Sequence, residues 1–321
     1  MINLTDTQKK IIRILFVERD SSRSILANKL SLTNAALTLT TKPLIEEGMI
    51  LDTKKDVQRV GRKELKLSLN PDYGYFVGID VRKHHLYFTL MNFNGDLILS
   101  NDDRKITFNE FITDYKDKLL GIGITLRGKA SYDVIHNKYL KFYEDIKKLD
   151  IPTYLFNNVD CLADIYSLNH NEDKNFLLIK YGPGVGSSIY VYGKPLGSLS
   201  ELGHTYYQDK TVEDTISYST LLGKELEEDE ANEELRKYPE LLNKVIDVLS
   251  FALINADSLL SLQKIILSGA LLSSDAIKNR LVEKLHDYNK EFDGDKLCVY
   301  PDYKNINEKK SCIGAFNKLF H

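Results

Sequence analysis

The first seventy residues contain three helix-like segments in close succession, each preceded by a residue that can cap a helix. The first segment follows a capping-box pattern, with a hydroxyl at Thr5 and Gln8 three residues later. Ser21 or Ser22 can cap the second segment, and Thr33 can cap the third. Apolar residues recur at helical spacing after each cap, which predicts three short helices.

Two short segments with strand character follow the third predicted helix. Gly48 is a natural stop for that helix, because glycine readily adopts the left-handed conformation found at helix ends. Residues 49–51 are apolar, residues 52–56 form a charged turn, and apolar residues alternate within residues 64–69. Three helices and a two-stranded ribbon predict a winged helix-turn-helix domain over residues 1–70.

One side of the third helix is expected to face the major groove of DNA, which is wide enough to admit a helix. Leu37, Thr41 and Leu44 share the opposite side of the helix, which is expected to be buried. The predicted groove-facing residues are Asn34, Ala35, Thr38 and Lys42. Asn34 can pair with a base edge, whereas Lys42 suits a phosphate.

The loop of the predicted wing is basic and contains Arg59, Arg62 and Lys63, which can reach the DNA backbone or the minor groove. Residues 1–70 carry 13 Lys and Arg against 8 Asp and Glu, a charge of +5, whereas the rest carries 30 against 38, a charge of −8. This asymmetry favours a polyanion as the partner of the N-terminal domain. The alternative is a helical domain whose basic loop contacts other proteins.

The remainder of the chain has the pattern of an α/β domain. Residues 74–80 form an apolar segment that ends in an aspartate, and a second strand-like segment, 86–93, leads into an Asn-Gly hairpin turn. Later, the apolar residues 176–179 lead into a glycine-rich loop at 182–186. Such a loop lets backbone N–H groups approach a ligand, although glycine-rich hairpins are more often simple turns.

Composition favours a cytoplasmic globular protein. The chain has 321 residues, 43% of them hydrophobic and 28% charged, and no apolar run approaches the ~20 residues that a membrane span requires. We expect no membrane association and no signal peptide, because the N-terminus lacks a basic region followed by an apolar stretch. Cys161, Cys298 and Cys312 form no Cys-x-x-Cys pair, so we expect reduced thiols.

Several motifs, taken in order along the whole chain, resemble those of the ROK family, which joins sugar-responsive transcriptional repressors to sugar kinases. They are Gly61-Arg62-Lys63, Leu69-Asn70-Pro71, Gly78-Ile79-Asp80, Gly121-Ile122-Gly123-Ile124, the 182–186 loop, Glu201-Leu202-Gly203-His204 and Ile265-Ile266-Leu267-Ser268-Gly269. The resemblance implies an actin-like, sugar-kinase-like α/β domain over residues 71–321, with a sugar in the cleft between two lobes. The lobes are expected at about residues 71–169 together with the C-terminal helix, and at about residues 170–301.

The resemblance also implies which residues bind the sugar. They are Asn157, Asn158, Glu201, His204 and Glu213. The family motif Glu-Asn-Asp-Ala-Asn corresponds to residues 156–160, and Cys-Leu-Glu corresponds to residues 211–213. Fixed carboxylate and amide groups suit the hydroxyls of a sugar. The alternative for any one of these residues is a surface polar group or a helix cap, and for the histidine a satisfied core residue.

Three departures from the kinases of the family argue against catalysis. Asn158 occupies the position of the general-base aspartate, and an amide has no useful proton affinity at neutral pH. Val81, Arg82 and Lys83 stand where ATP-using members have Gly-Gly-Thr, and Pro183 replaces a threonine of the second phosphate loop. We therefore expect sugar binding without phosphoryl transfer, and no bound ATP.

Two further departures concern zinc and the groove-facing helix. Many relatives bind zinc with one histidine and three downstream cysteines, but no cysteine follows His204 until Cys298. One histidine cannot form a tetrahedral zinc site, so we expect no zinc. Relatives often have arginine or another polar residue where Leu39 stands, which leaves the base contacts open.

The sequence thus predicts a transcriptional regulator that represses carbohydrate-utilisation genes. Its expected partners are double-stranded operator DNA, a small-molecule sugar effector and further copies of the chain, in a homodimer or a dimer of dimers. One alternative is an ATP-dependent sugar kinase with an accessory DNA-binding head. Another is a DNA-binding protein whose sugar cleft is vestigial. The identity of the sugar, the operator sequence and the direction of the sugar's effect on DNA binding stay open.

Overall fold

The chain divides into two units. The computed structural model describes residues 3–54, 65–82, 85–101, 106–128, 140–170, 172–197, 201–224, 226 and 228–320. Unit 1 consists of Met1–Asn157 and Lys309–His321, and unit 2 consists of Asn158–Glu308. Among the described residues, no helix is both long enough and apolar enough to cross a bilayer.

Unit 1 begins with three helices and a small antiparallel sheet. These elements are α1 (Asp6–Glu18), β1 (Asp20–Ser22), α2 (Arg23–Lys29), α3 (Asn34–Glu46), β2 (Ile50–Lys54) and β3 (Leu65–Leu69). The strand order is β1-β3-β2, so the two strands of the predicted ribbon pair directly and β1 pairs with the far side of β3. This is the arrangement of a winged helix-turn-helix domain.

The helix boundaries follow from local capping interactions. The Thr5 hydroxyl accepts the Gln8 N–H at 3.3 Å and the Gln8 side chain accepts the Thr5 N–H at 2.9 Å, which completes the predicted capping box. Ser22 caps α2, and Thr33 caps α3. After α3, Gly48 has a φ of +77°, a conformation that favours glycine and ends the helix.

The rest of unit 1 is built on a five-stranded sheet. Its elements are β4 (Tyr75–Val81), β5 (Leu86–Asn92), β6 (Leu97–Asn101), α4 (Phe108–Ile112), a 3₁₀ turn (Lys116–Lys118), β7 (Leu119–Leu126), α5 (Leu140–Lys147) and β8 (Thr153–Asn157). The strand order is β6-β5-β4-β7-β8, with β4 and β7 at its centre. Val77, Ile79 and Ile124 from these central strands lie in one buried apolar cluster.

Unit 2 contains a second five-stranded sheet, in the order β11-β10-β9-β14-β15. Its elements are α6 (Asn158–Asn169), β9 (Phe176–Tyr181), β10 (Val185–Val191), β11 (Lys194–Pro195), a 3₁₀ turn (Leu202–His204), β12 (Tyr206–Tyr207), β13 (Lys210–Thr211), α7 (Val212–Ile216), α8 (Tyr218–Leu222), α9 (Glu228–Leu235), α10 (Pro239–Leu260), β14 (Lys264–Ser268), α11 (Asp275–Tyr288), a 3₁₀ turn (Gly294–Lys296) and β15 (Leu297–Val299). The last helix, α12 (Tyr303–Leu319), begins in unit 2 and continues into unit 1 from Lys309.

The two five-stranded sheets have the same topology. In each sheet the first strand in sequence pairs antiparallel with the second and parallel with the fourth. The third strand extends the antiparallel edge, and the fifth extends the parallel edge. The turn after β4 and the glycine-rich turn after β9 therefore occupy equivalent positions in their own units.

The division between the units falls one helix earlier than the boundary near residue 169 that the resemblance implies. Val159, Leu162 and Tyr166 of α6 share a buried cluster with Phe176 and Leu178 of β9. Because α6 packs on this sheet, it belongs to unit 2.

The winged domain is attached to the rest of unit 1 by side-chain contacts. Phe16 of α1 stacks on Phe316 of α12, with ring centroids 4.0 Å apart. Arg19 forms an ion pair with Asp96, in the hairpin between β5 and β6, at 3.2 Å. These contacts fix the position of the winged domain within its own unit.

Candidate functional site

The third helix of the winged domain places the predicted residues as expected from its periodicity. Leu37, Thr41 and Leu44 are fully buried against the domain. The four predicted groove-facing residues, Asn34, Ala35, Thr38 and Lys42, are all exposed. The exposed face of α3 is therefore free to approach another molecule, and its role in DNA binding stays a prediction.

Most basic side chains that the structure describes around α3 have acidic partners. Lys42 lies 3.7 Å from Glu46 one turn later on α3. Arg23 pairs with Asp52 at 2.9 Å. Ion pairs this exposed are weak, so a phosphate can compete for the cation. Arg59, Arg62 and Lys63 of the predicted wing lie outside the described residues.

A second candidate site surrounds the first four residues of β10 in unit 2. The Val185 N–H donates to Oε2 of Glu213 at 2.7 Å. A Cβ on Gly203 would lie only 2.1 Å from the Val185 carbonyl oxygen, so only glycine lets this segment pack against β10. The first residue of β10 thus contacts two of the segments that carry predicted sugar-binding residues.

Glu201 and His204 lie side by side on the 3₁₀ turn beside β10. The Ser187 hydroxyl accepts the Leu202 N–H at 2.8 Å, which fixes the start of this turn to the strand. The His204 Nδ1 is 2.7 Å from Oε2 of Glu201, and both side chains are at least half exposed. The pair presents hydrogen-bonding groups of both kinds to a ligand.

The two predicted asparagines have different environments. Asn158 is the first residue of α6 and is 7% exposed, and its Oδ1 makes no hydrogen bond within the part of the chain that the structure describes. Its neighbour Val159 packs against Gly186 of β10. Asn157, the last residue of unit 1, donates from Nδ2 to the Gly128 carbonyl oxygen at 2.7 Å. Asn158 is thus the better placed of the two to share a site with the segments around β10.

Asp160 is a site residue that the sequence analysis did not predict. It lies on the first turn of α6 and hydrogen-bonds with Ser188, the fourth residue of β10. Burial raises the pKa of Asp160, the Ser188 hydroxyl opposes the shift, and the carboxylates of Asp164 and Glu201 add to it. The contact with Ser188 places Asp160 beside the first four residues of β10. The only sequence signal was its position within residues 156–160.

Asp160 and Glu213 hydrogen-bond with residues of β10. The turn that carries Glu201 and His204 packs beside the same strand, and Asn158 begins the helix that packs on it. Carboxylates accept hydrogen bonds, amides donate and accept them, and sugar hydroxyls do both. Among the described residues, no three His, Cys, Asp or Glu side chains are arranged so that they could hold one metal ion. The chemistry of this site is suited to a polyhydroxylated neutral ligand.

The glycine-rich turn at 182–186 is held by the carboxylates of its own unit. Glu213 accepts the Val185 N–H, as described above. Glu228 accepts the Ala270 N–H at 2.7 Å, and its other oxygen lies 3.3 Å from the Lys180 ammonium. Backbone donors on this side of unit 2 are thus engaged by negatively charged side chains.

A buried ion pair lies near the end of β4, just before the equivalent turn of unit 1. The Lys310 ammonium is 3.2 Å from Oδ2 of Asp80, and the Lys310 side chain is only 2% exposed. Arg82 lies 3.8 Å from the same oxygen, and the Thr125 hydroxyl donates to Oδ1 at 3.1 Å. Asp80, the penultimate residue of β4, is therefore neutralised by cations of its own unit.

Two sequence relatives are repressors by description. The chain is 25% identical over 227 residues to a protein of Caldicellulosiruptor sp. (strain Rt8B.4) described as a proposed xylose repressor, a match that covers 60% of this chain and 57% of the relative. It is 20% identical over 351 aligned positions to the xylose repressor of Staphylococcus xylosus, which covers 99% of this chain and 87% of that protein. The chain thus spans just over half the length of the first relative. No family profile matches the chain.

Solved structures show the fold. A ROK family transcriptional regulator, described as a homologue of the E. coli MLC protein, superposes with a TM-score of 0.67 at 17% identity, over 98% of this chain and 99% of the other. The ROK hexokinase of Thermus thermophilus gives a TM-score of 0.56 at 13% identity, over 76% of this chain and 99% of the enzyme. The expected fold class, a winged helix-turn-helix followed by an actin-like, sugar-kinase-like α/β domain, is confirmed. The chain is thus similar in sequence to xylose repressors and in fold to this ROK family regulator.

Proposed function

We propose that the chain is a DNA-binding repressor of carbohydrate-utilisation genes, controlled by a sugar that binds at the polar residues around β10. The observation that carries the proposal is the presence in one chain of a winged helix-turn-helix and a sugar-kinase-like domain. The descriptions of the sequence relatives as xylose repressors support the same function. Xylose is therefore the first sugar to test.

The sugar is proposed to bind without being phosphorylated. Asn158 can hydrogen-bond a hydroxyl, but it cannot take the proton that a kinase must remove. Lys310 neutralises Asp80, and Glu213 and Glu228 engage backbone donors beside the glycine-rich turn. A nucleotide phosphate would have to displace these carboxylates, which favours a regulator over a kinase. ATP and zinc are not part of the proposed function.

DNA binding is proposed to involve two or more copies of the chain. A homodimer, or a dimer of dimers, matches the two-fold symmetry of a palindromic operator. The sugar can change DNA affinity only if it binds two conformations of the protein with different affinities. The proposal therefore requires two states of the full chain that differ in both sugar and DNA affinity.

Salt dependence tests the DNA-binding part of the proposal. If the two winged domains of a dimer together make about 6–10 phosphate contacts, affinity for promoter DNA should fall about 10³–10⁵-fold between 50 and 200 mM salt. Arg62→Ala should weaken binding to matched and scrambled duplexes alike, whereas Asn34→Ala should change the preference between them. A flat salt response on the protein's own promoter would contradict DNA binding by the basic head.

Calorimetry tests the sugar-binding part. A panel of pentoses, hexoses and their phosphates should include one ligand whose binding Glu201→Ala abolishes. Glu230→Ala is the matched control, because Glu230 is an exposed glutamate of α9 in the same unit. Incubation of the ligand with the protein and Mg-ATP should yield no sugar phosphate above background. Robust turnover would favour the kinase alternative, and the absence of any sugar ligand would favour a vestigial site.

A further inference from the structure

The exposed face of α3 is more apolar than a solvated helix requires. Leu39 is 72% exposed, although it stands between the fully buried Leu37 and Thr41 on the same helix. Ala35 is exposed one helical turn before Leu39, and the exposed Thr38 lies one turn after Ala35. The three side chains form an apolar strip along the outer side of α3. This strip is not part of the domain core, because the other side of the helix provides the buried contacts.

This face of α3 offers DNA mainly methyl groups and one side-chain amide. The Thr38 hydroxyl donates to the Asn34 carbonyl oxygen of its own helix at 2.8 Å, so Thr38 offers a base edge chiefly its methyl group. Asn34 retains its side-chain amide at the first turn of the helix. Asparagine pairs in a bidentate manner with the N6 and N7 atoms of adenine.

Groups that read guanine are scarce on α3. Arginine and lysine are the residues that contact guanine O6 and N7 most often. All of Asn34–Glu46 is described, and it contains no arginine. Its single lysine, Lys42, lies in the third turn of the helix and forms an ion pair with Glu46 at 3.7 Å. This position suits a phosphate contact more than a base contact.

We infer that α3 reads A·T base pairs, with Leu39, Ala35 and Thr38 contacting thymine 5-methyl groups and Asn34 contacting adenine. The inference rests on the proposed DNA-binding function. The partner is duplex DNA because the first 70 residues carry a charge of +5, which complements a polyanion. Apolar contact with the thymine methyl group is the way in which aliphatic side chains distinguish bases in the major groove. Leu39 is then the principal specificity-determining residue of the helix.

The test uses the full-length protein and a library of random duplexes. Duplexes retained by the protein should share half-sites rich in A·T pairs. In a selected duplex, each half-site thymine is then replaced by deoxyuridine, which removes only the 5-methyl group. Replacement at a contacted thymine should reduce affinity about fourfold, the loss expected for one buried group of methyl size.

Leu39→Ala should weaken binding to the duplex that contains thymine. At one position it should also abolish the difference in affinity between the thymine and the deoxyuridine duplexes. Because Leu39 is exposed, this change should leave the fold intact. Val17→Ala is the matched control, since Val17 is an exposed apolar residue of α1 in the same domain. It should leave both affinities unchanged.

Two further outcomes separate the inference from the function on which it rests. The inference would be overturned, with DNA binding intact, if the retained duplexes had G·C-rich half-sites. It would also be overturned if neither deoxyuridine nor Leu39→Ala changed the affinity for DNA. Retention of no duplex at any salt concentration would remove the proposed function as well.

Discussion

Replacement of Phe316 by alanine tests whether the winged domain is held by α12. Phe316 is fully buried, and its ring lies at the centre of an aromatic cluster in unit 1. The ring of Phe16, from α1, stacks on it at 4.0 Å between centroids, and Phe320 lies at 4.8 Å. Phe76 of β4 and Phe93, the first residue after β5, lie at 5.5 and 6.0 Å. The ring therefore joins the winged domain, the sheet and the C-terminal helix.

The expected loss follows from the size of the buried ring. Truncation of a buried phenylalanine to alanine costs about 3–5 kcal/mol, including the cavity that remains. The four aromatic neighbours are held by α1, by β4, by the hairpin after β5 and by the end of α12, and they cannot easily collapse into that cavity. We therefore expect a value near the upper end, about 4–5 kcal/mol. This is a large part of the ~5–15 kcal/mol that stabilises a typical domain.

Chemical denaturation measures this loss as a change in the free energy of unfolding. Phe316→Leu is the matched control, because it keeps most of the volume and should cost only about 1.5 kcal/mol. In a double-mutant cycle, Phe16→Ala and Phe316→Ala should couple by about 0.5–1.5 kcal/mol, as expected for a stacked aromatic pair. Additive effects, or a loss no larger than that of the control, would refute the claim that these rings attach the winged domain.

Three further predictions concern the polar sites. Because burial raises the pKa of Asp160 in the folded protein, the folded state holds the proton more tightly than the unfolded state, and stability falls as pH rises above the ordinary aspartate range. Asp160→Asn should therefore raise the melting temperature at pH 7, with a gain that disappears below about pH 4; a gain independent of pH would contradict this. Gly203→Ala should abolish the sugar-induced rise in melting temperature, because its Cβ would lie 2.1 Å from a carbonyl oxygen, whereas Gly182→Ala meets only contacts of 3.7 Å or more and should retain the rise. Lys310→Met should lower the free energy of unfolding by about 3 kcal/mol, because it leaves the Asp80 carboxylate without its buried ammonium. Adding Asp80→Asn should recover part of that loss. An unchanged midpoint of chemical denaturation in Lys310→Met would argue against a structural ion pair.

The winged domain was predictable from sequence because its signals are local. The caps at Thr5 and Thr33 and the burial of Leu37 depend on residues within one or two helical turns. Strand β1 was not predicted, since its three residues are too few to show a period. It forms because Ser21 and its neighbours pair with β3, more than forty residues later in the chain.

The candidate sugar site was predictable only in part. The Glu201 and His204 pair follows from a short motif, and the structure places both residues on one turn. The involvement of Asp160 depends on Ser188, which approaches it only when α6 packs on β10. The same packing moves the unit boundary to Asn157. Such features arise from contacts between distant segments, which local patterns do not encode.

The central claim is that sugar binding and DNA binding are coupled in one chain. The most direct test measures the affinity of the full-length protein for its promoter duplex with and without a saturating sugar ligand. The account predicts a change of about 5–150-fold, with DNA changing sugar affinity by the same factor. Glu201→Ala should keep the DNA affinity of the sugar-free protein and lose the response to sugar. A sugar that binds at Glu201 while DNA affinity stays constant would contradict the account.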